Sequence, residues 1–438
     1  MSVTDTLVDF TLAPVQPTER MRRITLLSLY DWCVVSHAGR AEPVAAAVRA
    51  YATQNGGTPE STAVGSTLAV PATAAALVNG TVSHALDYDD THFDYIGHPS
   101  VAVIPAALAV AEATHASDDA LLESLVVGLE TATRVGRWLG RGHYAAGFHI
   151  TGTAGSVGAT AAAARLLALS PAQTANALSL VASRASGLRA QFGSMAKPWH
   201  AGLAASNGVE AARLALHGVE PASRVLESRQ GLSDTHSGEA DSTAFEGLST
   251  AFRFEQVTHK FHACCHGTHA MIDALLALQA QHPIDPAVVD SVTVRVTPAF
   301  QHVCNQLSPD TGLAAKFSYR LLAAATLCGR DTARLDTYSD ALCHDPTIVG
   351  VRDRVSIAFD STVAETAAEV TVRAGGSTRV ASADLLDRDF LTDTPARERR
   401  VYAKAESVLG SDHAAALWQH VSAARKRPLR ALPGALTH

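Results

Sequence analysis

The sequence predicts a mainly α protein with an α+β lid: a large all-helical domain into which a smaller α+β domain is inserted. Three observations carry this. Residues 7 to 255 read as helix after helix, with Ala and Leu recurring at helical spacing. Past about residue 285 the pattern turns to β-branched alternation. Helical spacing then returns from residue 395 to 424. The expected boundaries are 1–256 with 386–438 for the helical domain and 257–385 for the lid. A length of 438 residues, 47% of them apolar and 18% charged, supports a sizeable core and excludes disorder.

In chain order, the segments 100 to 114, 155 to 168, 172 to 186 and 199 to 216 are predicted helices. Several are apolar on every face, which suits burial inside a bundle. Gly218 is a stop signal just past Leu216. No strand alternation stands out in this half. A helix is predicted over 268 to 279, then strands over 291 to 297 and 354 to 359, with a helix over 314 to 328 between them. Residues 368 to 373 and 377 to 385 flank Gly375-Gly376 and predict a hairpin. A cleft between a helical domain and its lid is the expected ligand site.

Composition excludes several function classes. The formal charge is −7, and the only basic run is Arg425-Lys426-Arg427, so neither nucleic acid nor an acidic membrane is an expected partner. No apolar run is long enough to span a bilayer, and the N-terminus lacks a secretory plan, so a cytoplasmic protein is expected. Six scattered cysteines without a C-x-x-C pair predict neither a disulfide framework nor a zinc site. Of the 35 basic residues only Lys197, Lys260, Lys316, Lys404 and Lys426 are lysine. Arginine serves almost everywhere, so a retained lysine marks a place where the planar guanidinium does not fit.

Four polar motifs stand out against this background. The first runs from His84 through Asp87, Asp90, Thr91 and His92 to Gly97-His98-Pro99; if 84 to 92 were helical, Asp87, Asp90 and Thr91 would share a face. Ser100 is the expected cap of the following helix, with His98 in the turn before it. The carboxylates alone read sooner as an acidic helix end capping its neighbours. The second motif, Gly147-Phe148-His149 followed by Thr151-Gly-Thr-Ala-Gly155, offers either backbone N–H groups for a carboxylate or close packing through small residues. In the third, Lys197-Pro198-Trp199-His200, Pro198 is expected at the first helical position. The fourth packs His259, Lys260, His262, Cys264, Cys265, His266 and His269 into 11 residues. Adjacent cysteines ligate one ion poorly and no second cluster completes a set, so acid–base work or anion binding is expected there rather than metal.

Together these strings resemble the MmgE/PrpD family. The resemblance rests on Leu86-Asp-Tyr-Asp-Asp-Thr91, Gly97-His-Pro-Ser100, Gly147-Phe-His149, Met195-Ala-Lys-Pro-Trp-His-Ala-Gly202, Cys264-Cys-His-Gly-Thr-His269 and Ala315-Lys-Phe-Ser318, all in order. It implies a helical domain with an α+β lid, a homodimer, and a site without metal or other cofactor. It also implies His98, His149, Lys197, Lys260 and His266 as catalytic residues, with Asp87, Thr91, His200, Lys316 and Ser318 binding substrate. The family acts on small di- and tricarboxylates by elimination of water, loss of CO2 or epimerisation. One departure weighs against the first two reactions: Leu321 stands where many relatives carry a tyrosine, with Tyr319 two residues earlier.

Each of these reactions moves a proton at a carbon beside a carboxylate. Such a weak carbon acid needs a positioned base and cations to hold enolate-like charge. Imidazole titrates near neutrality, so His98 and His149 are the expected base and acid, and Lys197 the expected carboxylate ligand. Water elimination is the leading expectation. Decarboxylation, epimerisation of an amino-linked dicarboxylate and a non-catalytic carboxylate-binding protein are the alternatives.

Overall fold

A computed structural model describes residues 2–422 and 428–436; the basic run at 425–427 lies outside the described residues, as do positions 423 and 424 of the expected last helix. The chain divides into two compact units, Met1–His259 with Ser411–His438, and Lys260–Gly410. The predicted fold class stands: a helical unit and an α+β unit.

The first unit is built on helices that the apolar pattern dictates. Ser100–Ala113 is buried from Ser100 to Ala111, and Ile150–Leu166 from Ile150 to Ala164, so both run through the core rather than along the surface. Small residues let their neighbours approach closely. A Cβ on Gly80, in the helix Ala72–His84, would stand 2.7 Å from Gly202 Cα in the helix Ala196–Leu216. Gly152 and Gly158 likewise face the backbone carbonyls of Ser186 and Gly128, so the small-residue run opening the Ile150–Leu166 helix serves close packing. Gly218 follows the Ala196–Leu216 helix at φ +88°, the left-handed stop expected of it.

Three local expectations are corrected. Pro198 is the third residue of its helix, not the first, so Lys197 lies within the first turn. The helical half does contain strand, in the form of the two-residue segments Ser61–Thr62 and Ala69–Val70, paired antiparallel. Residues 85 to 99 form turns rather than helix: the helix ends at His84, and Asp87 adopts φ +52°. Asp tolerates this left-handed region better than most side chains do.

The loop covering 241–256 is held by a buried ion pair. Arg134 pairs with Glu130 one turn away, both side chains fully buried. Its guanidinium also donates to the carbonyls of Ala244, Glu246 and Ala251, while Glu130 accepts from the Phe254 N–H at 2.9 Å. All the strong donors and acceptors are thereby paired, as burial requires.

The second unit carries a four-stranded sheet in the order Val355–Phe359, Val289–Val296, Ala367–Ala374, Ser377–Asp384. The first pair is parallel and the others antiparallel. Val292, Val294 and Val296 alternate inward, as their β-branched spacing predicts. Gly375 and Gly376, at φ +54° and +75°, make the hairpin turn. The helix His269–Gln281 packs on the last two strands. The helix expected over 314 to 328 is two, Gly312–Ala315 and Tyr319–Leu327. Ser318 is extended between them, and its hydroxyl accepts from Leu321 N–H, starting the second helix anew. The helices Arg388–Thr392 and Thr394–Leu409 belong to this unit, which runs on to Gly410. Among the described residues no helix is long and apolar enough to cross a membrane.

Candidate active site

The helical unit brings five of the expected residues together: Asp87, His98, His149, Lys197 and His200. Each is placed at the end of an element. Asp87 turns the chain away from the end of the Ala72–His84 helix, its N–H bonded to His84 O at 3.1 Å. His98 precedes the Ser100–Ala113 helix and His149 caps the Ile150–Leu166 helix. Lys197 and His200 lie in the first turns of Ala196–Leu216.

The ammonium of Lys197 sits 2.7 Å from Asp87 Oδ2, and Asp87 Oδ1 is 3.4 Å from His98 Nε2. His98 Nδ1 lies 2.9 Å from the Asp90 carbonyl and 2.9 Å from Asp89 Oδ2; its hydrogen bond points at the carbonyl. The other oxygen of Asp89 takes a 2.8 Å bond from His84 Nδ1. His84, His98 and His149 stand side by side, with His84 4.6 Å from His98 and 5.9 Å from His149 between ring centroids. His149 Nδ1 meets His200 Nδ1 at 3.2 Å. A single proton serves that contact, so the two neutral rings hold opposite tautomers and one of them presents Nε2–H. Gly187, at φ +139°, brings backbone against both: a Cβ there would lie 3.3 Å from His149 Cβ and from His200 Cγ.

Burial and neighbouring charge separate these groups. Burial, then the Lys197 ammonium and the surrounding imidazoles, holds His149 well below the usual imidazole range. Burial likewise pushes His200 down to about 4, with His84 and Lys197 adding to the effect. Burial alone would raise Asp89, but the His84 and His98 imidazoles outweigh it and keep the carboxyl well below the carboxylate range. Asp90 behaves oppositely. Burial lifts it to about 7 against the pull of the Ser100 hydroxyl, and Asp31 and Asp89 reinforce the rise. Asp90, not Ser100, is therefore the helix cap: its carboxyl accepts from both the Ser100 N–H and hydroxyl.

Thr91 is tied to Thr258 by a backbone bridge and by a 3.0 Å hydroxyl contact, which fastens the loop. The α+β unit holds the remaining expected residues. Lys260 is buried, close enough to Cys264, Cys304 and His269 to influence their titration. His266 opens a short turn of 3₁₀ helix, with its ring 4.8 Å from His269. Lys316 Nζ lies 5.6 Å over the Tyr338 ring. The Ser318 hydroxyl caps a helix and donates to Gln306 O at 2.6 Å. Leu321 is fully buried, and the Tyr319 hydroxyl donates to Gly267 O at 2.9 Å. Burial pushes the Cys264 thiol up to about 11, so it is no nucleophile at neutral pH.

Two residues of the histidine cluster, His84 and Asp89, lie in the first sequence motif but were not expected as site residues. The signal was present in the polar residue ending an apolar helix and in the Asp-Tyr-Asp-Asp run. Reading 84 to 92 as helix hid it, because Asp89 reaches back to His84 only through the turn.

Among the described residues, one group of His, Cys, Asp or Glu brings ligand atoms within 4.8 Å of one another: His84, Asp87, Asp89 and His98, not the cysteine-rich motif. Part of its donor set is already engaged, while among the described residues His84 Nε2 and Asp89 Oδ2 have no hydrogen-bond partner. Asp89 accepts from His84, Lys197 supplies the positive charge on Asp87, and His98 bonds the Asp90 carbonyl. The Lys197–Asp87 and His84–Asp89 contacts make this a hydrogen-bonded cluster of acidic and basic groups.

Comparison with known proteins gives the same family as the motifs do. The MmgE/PrpD N-terminal domain matches residues 10–244 and the MmgE/PrpD C-terminal domain residues 262–415. The chain is 36% identical over 167 residues to a cis-aconitate decarboxylase of Homo sapiens, covering 37% of this chain and 34% of that protein. It is 31% identical over 227 residues to a cis-aconitate decarboxylase-like protein of Aspergillus oryzae, covering 50% and 46%. A cis-aconitate decarboxylase of Aspergillus terreus is 32% identical over 166 residues, covering 36% and 34%. The matched stretches thus span from a third to just under half the length of these relatives.

Proposed function

The chain belongs to the MmgE/PrpD family, and from that premise we propose that it is a lyase acting on a small tricarboxylate, by loss of CO2 or of water. The observation that carries this reading is the separation of charge states within one cluster. His149 is kept neutral while Lys197 and Asp87 form an ion pair beside it. Groups whose surroundings push their titration apart divide into base and acid.

In this reading Lys197 binds a substrate carboxylate and holds charge that builds up at the reacting carbon. For water loss, neutral His149 takes the proton from the carbon beside a carboxylate. The electron pair forms the double bond, and the departing hydroxide takes a proton from His98 Nε2. For CO2 loss, the carbon–carbon bond to a carboxylate breaks, its pair moves onto carbon or into an adjacent double bond, and a proton from the cluster quenches that carbon. The sequence favoured water loss. The names of the relatives shift the preference to CO2 loss.

The test is proton NMR in heavy water with cis-aconitate, citrate, 2-methylcitrate and iminodisuccinate, with CO2 measured in parallel. CO2 with a deuterated product supports decarboxylation, and a new olefin from a hydroxy acid supports dehydration. Deuterium uptake without net loss is the epimerase outcome. A rise in melting temperature with no turnover is the outcome for a carboxylate-binding protein, and turnover or binding of none of them refutes the substrate class. His149→Ala should lower kcat by about 10²–10⁴-fold with the fold intact, while Lys197→Ala should also raise KM.

A further inference from the structure

We propose that Asp89 is a positioning residue: one buried carboxylate that takes the Nδ1 hydrogen bond of His84, faces Nδ1 of His98 beside the Asp90 carbonyl that takes that ring's bond, and so leaves Nε2 as the exchangeable position on both. The proposal rests on the reading that His98 moves a proton. The geometry is independent of that reading.

Asp89 is 1% exposed, and its two oxygens divide between the rings, Oδ1 at 2.8 Å from His84 Nδ1 and Oδ2 at 2.9 Å from His98 Nδ1. A carboxylate held ionised only accepts, so each facing nitrogen must carry a hydrogen. For His98 the Asp90 carbonyl, also acceptor-only, takes the hydrogen bond itself at 2.9 Å, and Asp89 Oδ2 beside it tolerates only the same Nδ1–H form. For His84 no other residue is bonded to Nδ1. Whatever the charge on the rings, the proton that stays is therefore at Nδ1. On His98 the free position is the Nε2 that faces Asp87 and its Lys197 partner. On His84 it is a buried Nε2 with no hydrogen-bond partner, in a ring flanked by those of His98 and His149. A carboxylate that holds an imidazole in one tautomer also supports the imidazolium once it forms.

Asp89→Asn is nearly isosteric and separates positioning from packing. An amide presents one acceptor and one donor, so it can satisfy one Nδ1–H but must oppose the other. ¹⁵N shifts of ring-labelled histidine, followed from acid to alkaline pH in the unaltered chain, report which nitrogen keeps its proton. His84→Gln and His98→Gln assign the signals. The expected result is Nδ1–H for both neutral rings, and a shift of at least one ring to Nε2–H in Asp89→Asn. On the turned-over substrate the variant should lose about 10²–10⁴-fold in kcat with KM within about threefold. Nε2–H on either neutral ring of the unaltered chain overturns the proposal, even if the variant fails to fold. So does an Asn variant whose tautomers or kcat are unchanged. If no polycarboxylate is turned over, the functional reading falls, and the ¹⁵N result decides the positioning on its own.

Discussion

Gly80→Ala tests whether the clustered histidines depend on a close helix crossing. A Cβ at this position would lie 2.7 Å from Gly202 Cα, 2.9 Å from Gly202 N and 3.0 Å from Ala201 O. All three are backbone atoms, so no side chain can rotate away. Carbon atoms pack at about 3.5–4.0 Å, and the Ala72–His84 and Ala196–Leu216 helices must therefore separate by about 1 Å. Overpacking of this kind costs about 1–3 kcal/mol, and alanine's helix propensity returns at most about 1 kcal/mol. The expected net is a loss of up to about 2 kcal/mol, or a melting temperature lower by about 2–4 °C. Activity should suffer more than stability. His84 ends the first helix, Lys197 and His200 begin the second, and a displacement of about 1 Å can cost about 10²-fold in rate. The assay pairs thermal unfolding with turnover for Gly80→Ala and for a control, Gly350→Ala, whose Cβ meets nothing within 4 Å. The control should be neutral or slightly stabilising. Equal or higher stability and full activity in Gly80→Ala would refute the close-crossing argument.

Three further outcomes are expected. Arg134→Met should destabilise the chain by about 3–5 kcal/mol in denaturant unfolding, because it strands the buried Glu130 carboxylate and three carbonyls; a loss under about 1 kcal/mol would contradict the pairing. His200 falls from an ordinary 6.5 to about 4 on folding, so the unfolded chain takes up this proton first. Its contribution is complete above pH 6.5 and is lost as pH falls toward 4, whereas Asp90, raised from 3.8 to about 7, loses its contribution as pH rises through that interval. Stability of the parent should therefore drop relative to His200→Gln below pH 6.5, and parallel curves would disprove the burial argument. Dialysis against a strong chelator should leave turnover unchanged, and loss restored only by an added divalent cation would mean that the group of His84, Asp87, Asp89 and His98 holds a metal.

The sequence by itself determined the fold class and most of the elements, because apolar spacing at periods of 3.6 and 2 reports directly which faces are buried. The Gly375-Gly376 hairpin and the Gly218 helix stop were legible for the same local reason: few residues adopt positive φ without cost. His98, His149, Lys197, His200 and Asp87 could be named, since scarce lysines and histidines in glycine-rich turns carry their own signal. Their relation could not. The Ser318 hydroxyl caps a helix that the sequence did not separate from its predecessor, and Ser100 looked like a cap and is held by Asp90. Which acceptor a hydroxyl finds depends on segments distant in the chain. His84 and Asp89 became visible only once the chain turned at Asp87 instead of continuing as helix. The charge states were beyond the sequence altogether. Asp89 and Asp90 are adjacent and chemically identical, yet one is held ionised by two imidazoles and the other is pushed up to about 7 by burial against a hydroxyl. Desolvation and neighbouring charge are properties of packed space, and only the tertiary structure sets them.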